Sequence, residues 1–407
     1  MMPTLVAEAA RISDRITALR RSIHADPELG LRTPRTRDKI RAALAHLPIE
    51  WREGPSTTGL VGILRGGAGS GGCVLLRGDT DALPMPEETG LDFASTVPGV
   101  MHACGHDAHV AMLVGAAELL GSRLASLKGE VRFMFQPGEE GHHGARFMIE
   151  DGLLGGVGTG LALPDAAFAL HVMPNAPHGV IGGRAGPLLA SADQIEVRVG
   201  GRGGHASMPH QTLDPMPVAC EIVTALQAMV TRKFSVFDPV VVTIGKIECG
   251  TAHNVIADEA RLTGTMRSLS PASRARLREE LHRLATGIAS AHGMVGEVTV
   301  HEGFPVTMCD GDAVDFGERV ARAMFGGESF MRLADPIMGA EDFSYVLEQV
   351  PGAMFFLGVS HQGDDWEQCC GIHSTRMRVD ESAMPRGAAY LAGLAEAFLA
   401  RGSLAPA

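Results

Sequence analysis

The sequence has 407 residues, a length at which a single hydrophobic core usually divides, so we predict two domains. Hydrophobic residues make up 45% and charged residues 20%, as in ordinary globular proteins, and the formal net charge of −12 argues against a nucleic-acid partner. No apolar run is long enough for a membrane span, and the N-terminus lacks the pattern of a signal peptide. Seven scattered cysteines do not indicate a disulfide framework, so we expect a cytoplasmic protein with no membrane partner.

The first 186 residues alternate between helical and strand patterns. Apolar residues at spacings of three, four and seven indicate amphipathic helices, and short unbroken apolar runs indicate buried strands. This order predicts an α/β fold with a mostly parallel sheet and helices on both faces. The predicted elements are helices at 5–23, from 34 onward, at 109–124 and at 144–150, and strands at 60–64, 73–76, 131–135 and 166–170.

A glycine-rich segment, 66–72, separates the first two predicted strands. It matches Gly-x-Gly-x-x-Gly at Gly67, Gly69 and Gly72. A dinucleotide-binding loop must open a helix whose N-terminus meets the pyrophosphate, and here a strand follows instead. We therefore predict a hairpin turn between the two strands.

Polar residues follow three of the predicted strands. In open α/β sheets, ligands bind at the edge formed by the carboxyl ends of the strands. These side chains should therefore share one site. Asp79 and Asp81 follow the second strand, Glu139 and Glu140 the third, and His171 the fourth.

The pattern changes near residue 187. The segment 195–199 alternates apolar and polar residues, as a strand with one exposed face does, and further strands and two helices follow. We predict a small α+β domain at 187–297, inserted between the two parts of the first domain, 1–186 and 298–407. The further predicted elements are helices at 215–230, 270–292, 313–325 and 381–399, and strands at 240–244, 260–266 and 353–357.

Cys104 and His106 stand one residue apart in a tight turn, and thiolate and imidazole are good ligands for Zn²⁺, Co²⁺, Ni²⁺ or Mn²⁺. A helix starting near His109 would lower the pKa of the Cys104 thiol. By itself the pair could also be a buried cysteine beside a capping histidine. The adjacent Glu139 and Glu140 favour the metal, because two carboxylates in a sheltered turn repel each other and need a cation to stay ionised.

One of these two glutamates would be a ligand, and the other a general base that deprotonates an activated water and later protonates the leaving nitrogen. The alternative for this motif is a solvated acidic turn. His171, after its apolar strand, could be a core histidine or a ligand. His373 is open to the same two interpretations.

Taken together, these segments resemble the M20 metallopeptidase and amidohydrolase group, in particular its hippurate hydrolase and N-acyl-amino-acid amidohydrolase branch. The matching motifs follow one another through nearly the whole chain. They are Gly78-Asp-Thr-Asp-Ala-Leu-Pro84, Met101-His-Ala-Cys-Gly-His-Asp-Ala-His109, Gln136-Pro-Gly-Glu-Glu-Gly141, Ala169-Leu-His-Val172, Gly203-Gly-His-Ala-Ser207, Asn254-Val-Ile with Gly264-Thr-Met-Arg267, and Gly339-Ala-Glu-Asp-Phe343.

The resemblance implies a zinc-peptidase-like catalytic domain, an inserted lid and dimerisation domain, and two divalent metal ions per subunit, Zn, Mn, Co or Ni. For His205 a purely structural role is the alternative, and for Arg267 a solvent-facing position on a strand. The implied ligands are Cys104, His106, Glu140, His171 and His373. The other implied roles are Glu139 as general base, Asp81 as the carboxylate that orients a ligand histidine, His205 as donor to the oxyanion, and Asn254 and Arg267 as the groups that hold the substrate's carboxylate or backbone.

Two segments depart from the commonest pattern of that group. His142 and His143 stand where glycine-rich sequence often follows the paired glutamates, and they could form a polar wall or cap the next helix. The residues before His373 also differ from the expected His-rich or Pro-rich approach. We expect structural roles for His102 and His109.

We therefore expect a metal-dependent amidohydrolase that cleaves the amide bond of N-acyl amino acids, hippurate-like or N-acetyl, with Glu139 as general base and acid. One alternative is a dipeptidase or aminopeptidase of the same group, and another is a metal-binding protein without activity. The resemblance, together with an exposed edge strand expected at 195–199, predicts a homodimer formed through the inserted domain.

Overall fold

A computed structural model describes residues 2–405, with side chains from residue 4 onward. None of the helices in this described part of the chain is both long and apolar enough to cross a lipid bilayer. The helices are α1 (Met2–Arg11), α2 (Ser13–His24), α3 (Pro34–Ala43), α4 (His106–Gly121), α5 (Gly144–Glu150), α6 (Pro215–Lys233), α7 (Pro271–Ala291), α8 (Gly311–Phe325), α9 (Ser344–Leu347) and α10 (Met384–Arg401). The strands are β1 (Glu50–Glu53), β2 (Leu60–Arg65), β3 (Cys73–Asp79), β4 (Glu130–Gln136), β5 (Ala166–Met173), β6 (Ile181–Gly183), β7 (Gly186–Leu189), β8 (Asp193–Gly200), β9 (Gly204–His205), β10 (Val240–Cys249), β11 (Val255–Ile256), β12 (Glu259–Ser268), β13 (Val295–His301), β14 (Thr307–Cys309), β15 (Phe330–Arg332) and β16 (Gly352–Gly358).

The larger of two compact units contains the chain up to Leu188, Met308–Asp335 and the chain from Asp342 onward. Within the described residues its sheet has the strand order β1-β2-β4-β3-β5-β16-β6-β15. The central strands β4, β3, β5 and β16 run parallel, and β2 and β6 pair antiparallel with this block. All of β16 is buried, as is β5 up to its last residue, because helices cover both faces of the sheet. The predicted α/β fold with a mixed sheet is confirmed.

The connection between β2 and β3 corrects one prediction. These two strands are not neighbours, because β4 lies between them, antiparallel to β2 and parallel to β3. The predicted hairpin turn at 66–72 is therefore wrong. The apolar run of β4 is buried along nearly its whole length, which suits a strand with partners on both sides.

The smaller unit contains Leu189–Thr307 and Pro336–Glu341. Its sheet has the order β10-β12-β8-β13, all pairs antiparallel, and buried residues of α6 and α7 join its apolar face in one core.

The predicted exposed edge strand at 195–199 is wrong, because β8 is paired on both sides, with β12 and β13. The edges are β10 and β13. The predicted domain boundary at 297 falls inside β13, whose alternating burial was not recognised in the sequence.

Candidate active site

The carboxyl edge of the large sheet carries the polar residues that follow its strands. β3 ends at Asp79 and β4 at Gln136, and these two strands are parallel neighbours. Asp81 and Glu139 follow just beyond them, and His171 lies near the end of β5, the next strand along. Helix α4 starts two residues after Cys104, so the strand ends and the first turn of this helix are the elements that present the predicted ligands.

Three overlapping groups of donor atoms bring the five predicted ligands and Glu139 into one cluster. Within each group the donor atoms lie within 4.8 Å of one another. The structure thus places these residues together, and their individual roles stay a prediction. The groups are Cys104–His106–His171, Cys104–Glu140–His373 and His106–Glu139–Glu140.

The ring of His106 has the orientation of a ligand. Its Nδ1 lies 2.7 Å from the carbonyl oxygen of Asp81, so Nδ1–H donates and the lone pair of the neutral ring is on Nε2. Nε2 is buried, makes no hydrogen bond within the described residues, and faces carboxylate oxygens of Asp79 at 3.4 Å and Glu140 at 4.0 Å. Burial opposes a charge on this ring, but Asp79 and Cys104 raise the pKa of His106 well above its usual range, so Nε2 is a position where positive charge is stabilised. A divalent metal bound to Nε2 in place of the proton would supply that charge, so this donor set fits a divalent metal.

His171 is held in the same way. Its Nδ1 lies 2.7 Å from the carbonyl oxygen of Val172, so Nδ1–H donates there. Nε2 then presents its lone pair, and it lies 3.3 Å from the sulfur of Cys104. Of the two interpretations left open for His171, this geometry favours the ligand.

His373 approaches the cluster from the chain segment before α10. Its backbone N–H donates to the carbonyl oxygen of Ala103, at 2.7 Å, and its Nε2 lies 3.3 Å from Oε1 of Glu140. Its backbone is left-handed, with φ of +63°, which costs about 1–3 kcal/mol for a residue other than glycine. Such strain is concentrated at functional sites, which supports a role for His373 despite its exposed position.

Burial and neighbouring charges set the titration of this cluster. Burial raises the pKa of the Cys104 thiol by more than His106 and His373 lower it, so the pKa of this thiol lies above its usual value. Interactions with Cys104 and then with Glu140 raise the pKa of His373 to about 10. A thiol binds metals as its thiolate and a histidine as its neutral ring, so metal binding by Cys104 and His373 would release protons from this cluster.

The carboxylate of Asp81 holds the two glutamates. It accepts the backbone N–H of Glu139 at 3.0 Å and that of Glu140 at 3.1 Å. The same residue orients His106, although through its carbonyl oxygen, since its carboxylate lies 3.6 Å from Nδ1. Asp81 therefore aligns the base candidate Glu139 and two ligand candidates, Glu140 and His106.

His109 uses both ring nitrogens away from the cluster. Its Nδ1 lies 2.6 Å from a carboxylate oxygen of Asp79, and its Nε2 accepts the backbone N–H of Val172 at 2.9 Å. With both nitrogens engaged, His109 is a supporting residue, in keeping with the structural role that we expected. His102 is also buried, and burial lowers its pKa to about 3.

The sequence reasoning missed a buried polar network behind the cluster. Arg77 donates to Asp79 at 2.5 Å, to Gln136 at 2.9 Å and to Asp342 at 3.1 Å. Burial opposes the ionisation of Asp79, but Arg77 and two histidines lower its pKa well below the usual range. A charged arginine inside the apolar strand β3 is a signal that could have revealed this network, because such residues are rarely buried without partners.

In the smaller unit, the structure brings His205 and Asn254 together. His205 in β9 pairs with Val255 in β11, the residue after Asn254, and the carbonyl oxygen of Asn254 accepts the N–H of Ala206. Arg267 lies on a different sheet, in β12, where it is half-buried. This burial lowers its pKa, but an arginine stays charged.

A model of the peptidase family M20/M25/M40 matches residues 75–397. The chain belongs to this family. Among its M20 relatives, Thermostable carboxypeptidase 1 of Saccharolobus solfataricus is 37% identical over 98% of this chain and 99% of that protein. N-acetylcysteine deacetylase of Bacillus subtilis is 37% identical over 94% of this chain and 96% of that protein.

A solved M20 structure has the same fold. The YXEP protein of Bacillus subtilis, described as a dinuclear metal-binding peptidase, superimposes with a TM-score of 0.82 at 34% identity, over 96% of this chain and 99% of that one. These comparisons confirm the predicted family, the metal-dependent hydrolase class and the α/β fold with a second, smaller domain.

Proposed function

We propose that this M20 hydrolase cleaves the amide bond of N-acyl amino acids, with Glu139 as general base and acid. The observation that carries the proposal is the Asp81 carboxylate, which accepts the amide N–H groups of Glu139 and Glu140. It fixes two adjacent glutamates in one buried turn with their carboxylates near His106. The N-acetylcysteine deacetylase relative supports an acyl amino acid as the substrate class.

The five ligand candidates would hold two divalent cations, Zn, Mn, Co or Ni. When bound, such cations polarise a carbonyl oxygen and acidify water. Glu139 takes the proton of the attacking water and later returns it to the nitrogen of the leaving amine, so that the products are a carboxylic acid and an amine. The candidates are Cys104, His106, Glu140, His171 and His373.

Three residues of the smaller unit are proposed to bind substrate. His205 would donate a hydrogen bond to the oxygen that becomes negative in the transition state. Its Nδ1 accepts the backbone N–H of Ser207, which leaves Nε2 as the donor in the neutral ring. Arg267 has a planar fork of donors that matches the two oxygens of a carboxylate, and Asn254 would complete this contact.

Glu139→Gln tests the assigned base. The amide keeps the size of the side chain but cannot accept a proton, so we expect turnover of N-acetyl amino acids to fall by about 100-fold or more while the metal content stays at the wild-type level. Near-normal turnover with metals bound would show that Glu139 is not the base. Turnover of any amide by the metal-loaded wild type also rules out a metal-binding protein without activity.

Peptide hydrolysis is the second candidate function, favoured by the 37% identity to the carboxypeptidase. The same enzyme preparation should be tested with N-acetyl, N-benzoyl and longer N-acyl amino acids and with dipeptides. Higher kcat/KM for dipeptides than for every N-acyl amino acid would replace the first proposal by the second.

We also propose a homodimer formed through the smaller unit, in the cytoplasm. Its edge strands β10 and β13 carry exposed apolar side chains, among them Ile247 and Val295. Unpaired edges of this kind favour association. The cysteines of the described chain are unpaired, as in a reducing compartment. Light scattering that finds only monomer at micromolar concentrations would contradict the dimer.

A further inference from the structure

His143 has an unusual backbone for a residue of its type. Only two non-glycine residues in the described part of the chain have positive φ, His373 at +63° and His143 at +57°. The first is a ligand candidate, and the second follows Glu140 by three residues. A left-handed histidine costs conformational free energy that a glycine at the same position would not.

The side chain of His143 does not cap α5, so capping does not offset the free-energy cost of its backbone conformation. His143 occupies the N-cap position of α5, but its ring makes no capping hydrogen bond. Of the two interpretations left open for His142 and His143, a helix cap made by the His143 side chain is therefore not observed. Its Nδ1 lies instead 2.9 Å from the hydroxyl of Tyr345.

The turn between β4 and α5, residues 136–145, carries both glutamates and is anchored at its two ends. The carboxylate of Asp342 accepts the side-chain amide of Gln136 at one end and the backbone N–H of Ala145 at the other. Tyr345, three residues after Asp342, reaches the same turn through His143. One short segment, 342–345, thus holds the ends of the turn and its last left-handed residue.

We propose that His143 and Tyr345 form a latch that positions the turn carrying Glu139. This inference rests on the proposed role of Glu139 as the base. His143 is a positioning residue in it, because it acts through the backbone of the turn. At this position a glycine would relieve the backbone strain, but it would have no side chain to bond to Tyr345.

Removal of the side chain separates this role from a purely structural one. In His143→Gly the left-handed backbone becomes unstrained, so the melting temperature should be unchanged or higher. The turn loses its bond to Tyr345, and we expect kcat to fall by about 10- to 100-fold, with KM and metal content near the wild-type values. Replacement of a residue with a purely structural role would instead lower the melting temperature.

Tyr345→Phe tests the other residue of the latch, and Tyr390→Phe and His142→Gly are the matched controls. Tyr345→Phe removes the hydroxyl partner of His143 and should lower kcat in the same way. The chain's other tyrosine, Tyr390, is buried and its hydroxyl makes no hydrogen bond within the described residues, so Tyr390→Phe should leave kcat unchanged. His142→Gly introduces a glycine one residue earlier in the same turn but keeps the latch, and it should also leave kcat unchanged.

The double variant decides whether the two residues act together. If they form one latch, His143→Gly with Tyr345→Phe should be no slower than His143→Gly alone. Wild-type kcat in either single variant, or an equal loss in His142→Gly, would overturn the latch. Glu139→Gln keeps the two proposals apart, because an inactive Glu139→Gln with a fully active His143→Gly refutes the latch alone, and an active Glu139→Gln refutes the proposed base.

Discussion

Asp81→Asn should damage the site although it replaces only one carboxylate oxygen by an NH₂ group. The carboxylate accepts two backbone N–H groups, those of Glu139 and Glu140, at 3.0 and 3.1 Å. Asparagine has one oxygen to accept one of these bonds, and its NH₂ group faces the other donor. A buried donor left without an acceptor costs about 1–3 kcal/mol, so we expect a destabilisation of about 2 kcal/mol.

The same change should weaken metal binding. Loss of a group that orients ligands typically costs about 10–100-fold in metal affinity, and here Glu140 shifts while His106 keeps its bond to the carbonyl oxygen of residue 81. Affinity is measured by competition with a chromophoric chelator, and turnover with an N-acetyl amino acid. Asp151→Asn is the control, because that carboxylate also accepts a backbone N–H, from Ser56, outside the cluster. Wild-type affinity and turnover in Asp81→Asn would refute the reasoning.

Three further predictions concern the metals, the core and the acid stability. Chelation should abolish turnover and lower the melting temperature, and Zn²⁺, Co²⁺, Mn²⁺ or Ni²⁺ should restore both; activity that survives complete chelation would contradict the metal assignment. Phe355→Ala should cost about 3–5 kcal/mol of unfolding free energy, because this fully buried ring packs against Tyr390 and Phe330; denaturant unfolding that shows under 1 kcal/mol would contradict it. Burial opposes the ionisation of Glu87, but bonds to His24 and others lower its pKa to about 2; its stabilisation is therefore complete above the ordinary pKa of 4.5 and is lost as the pH falls toward 2. Glu87→Gln should flatten the loss of stability between pH 4.5 and 2 in thermal melts, and an unchanged acid limb would contradict this assignment.

Local patterns predicted most elements of the fold but not the order of the strands. The helix 144–150 and the strand starting at Cys73 were predicted at their observed positions, because apolar periodicity and flanking glycines are local signals. The insertion of β4 between β2 and β3 was not predicted. It depends on which edges pair across a long connection, and no local pattern encodes that choice. The misplaced edge at 195–199 has the same origin, because β13 is mostly exposed and lacks a strong apolar signal.

For the site, too, the local signals could be predicted from the sequence and the long-range contacts could not. The polar residues that follow β3, β4 and β5 could be predicted to meet, since parallel strands end at one edge of a sheet. The contacts behind them could not. Arg77 meets Asp342 from 265 positions away, and His143 meets Tyr345 from 202 positions away. The second pair depends on the packing of α5 against α9, and neither contact has a trace in one segment alone.

These distant contacts explain why two adjacent glutamates can act differently. Neighbouring residues in a free loop would exchange environments, and neither would be a better base than the other. Here Asp81 accepts the N–H groups of both glutamates, and Asp342 bonds to both ends of the turn, so these hydrogen bonds restrain its backbone. Glu140 reaches His373, at 3.3 Å from its Nε2, and carboxylate oxygens of both glutamates lie within 4.8 Å of a ring nitrogen of His106. The two side chains are chemically the same, so the proposed difference between Glu140 as ligand and Glu139 as base has to come from the anchoring of the turn.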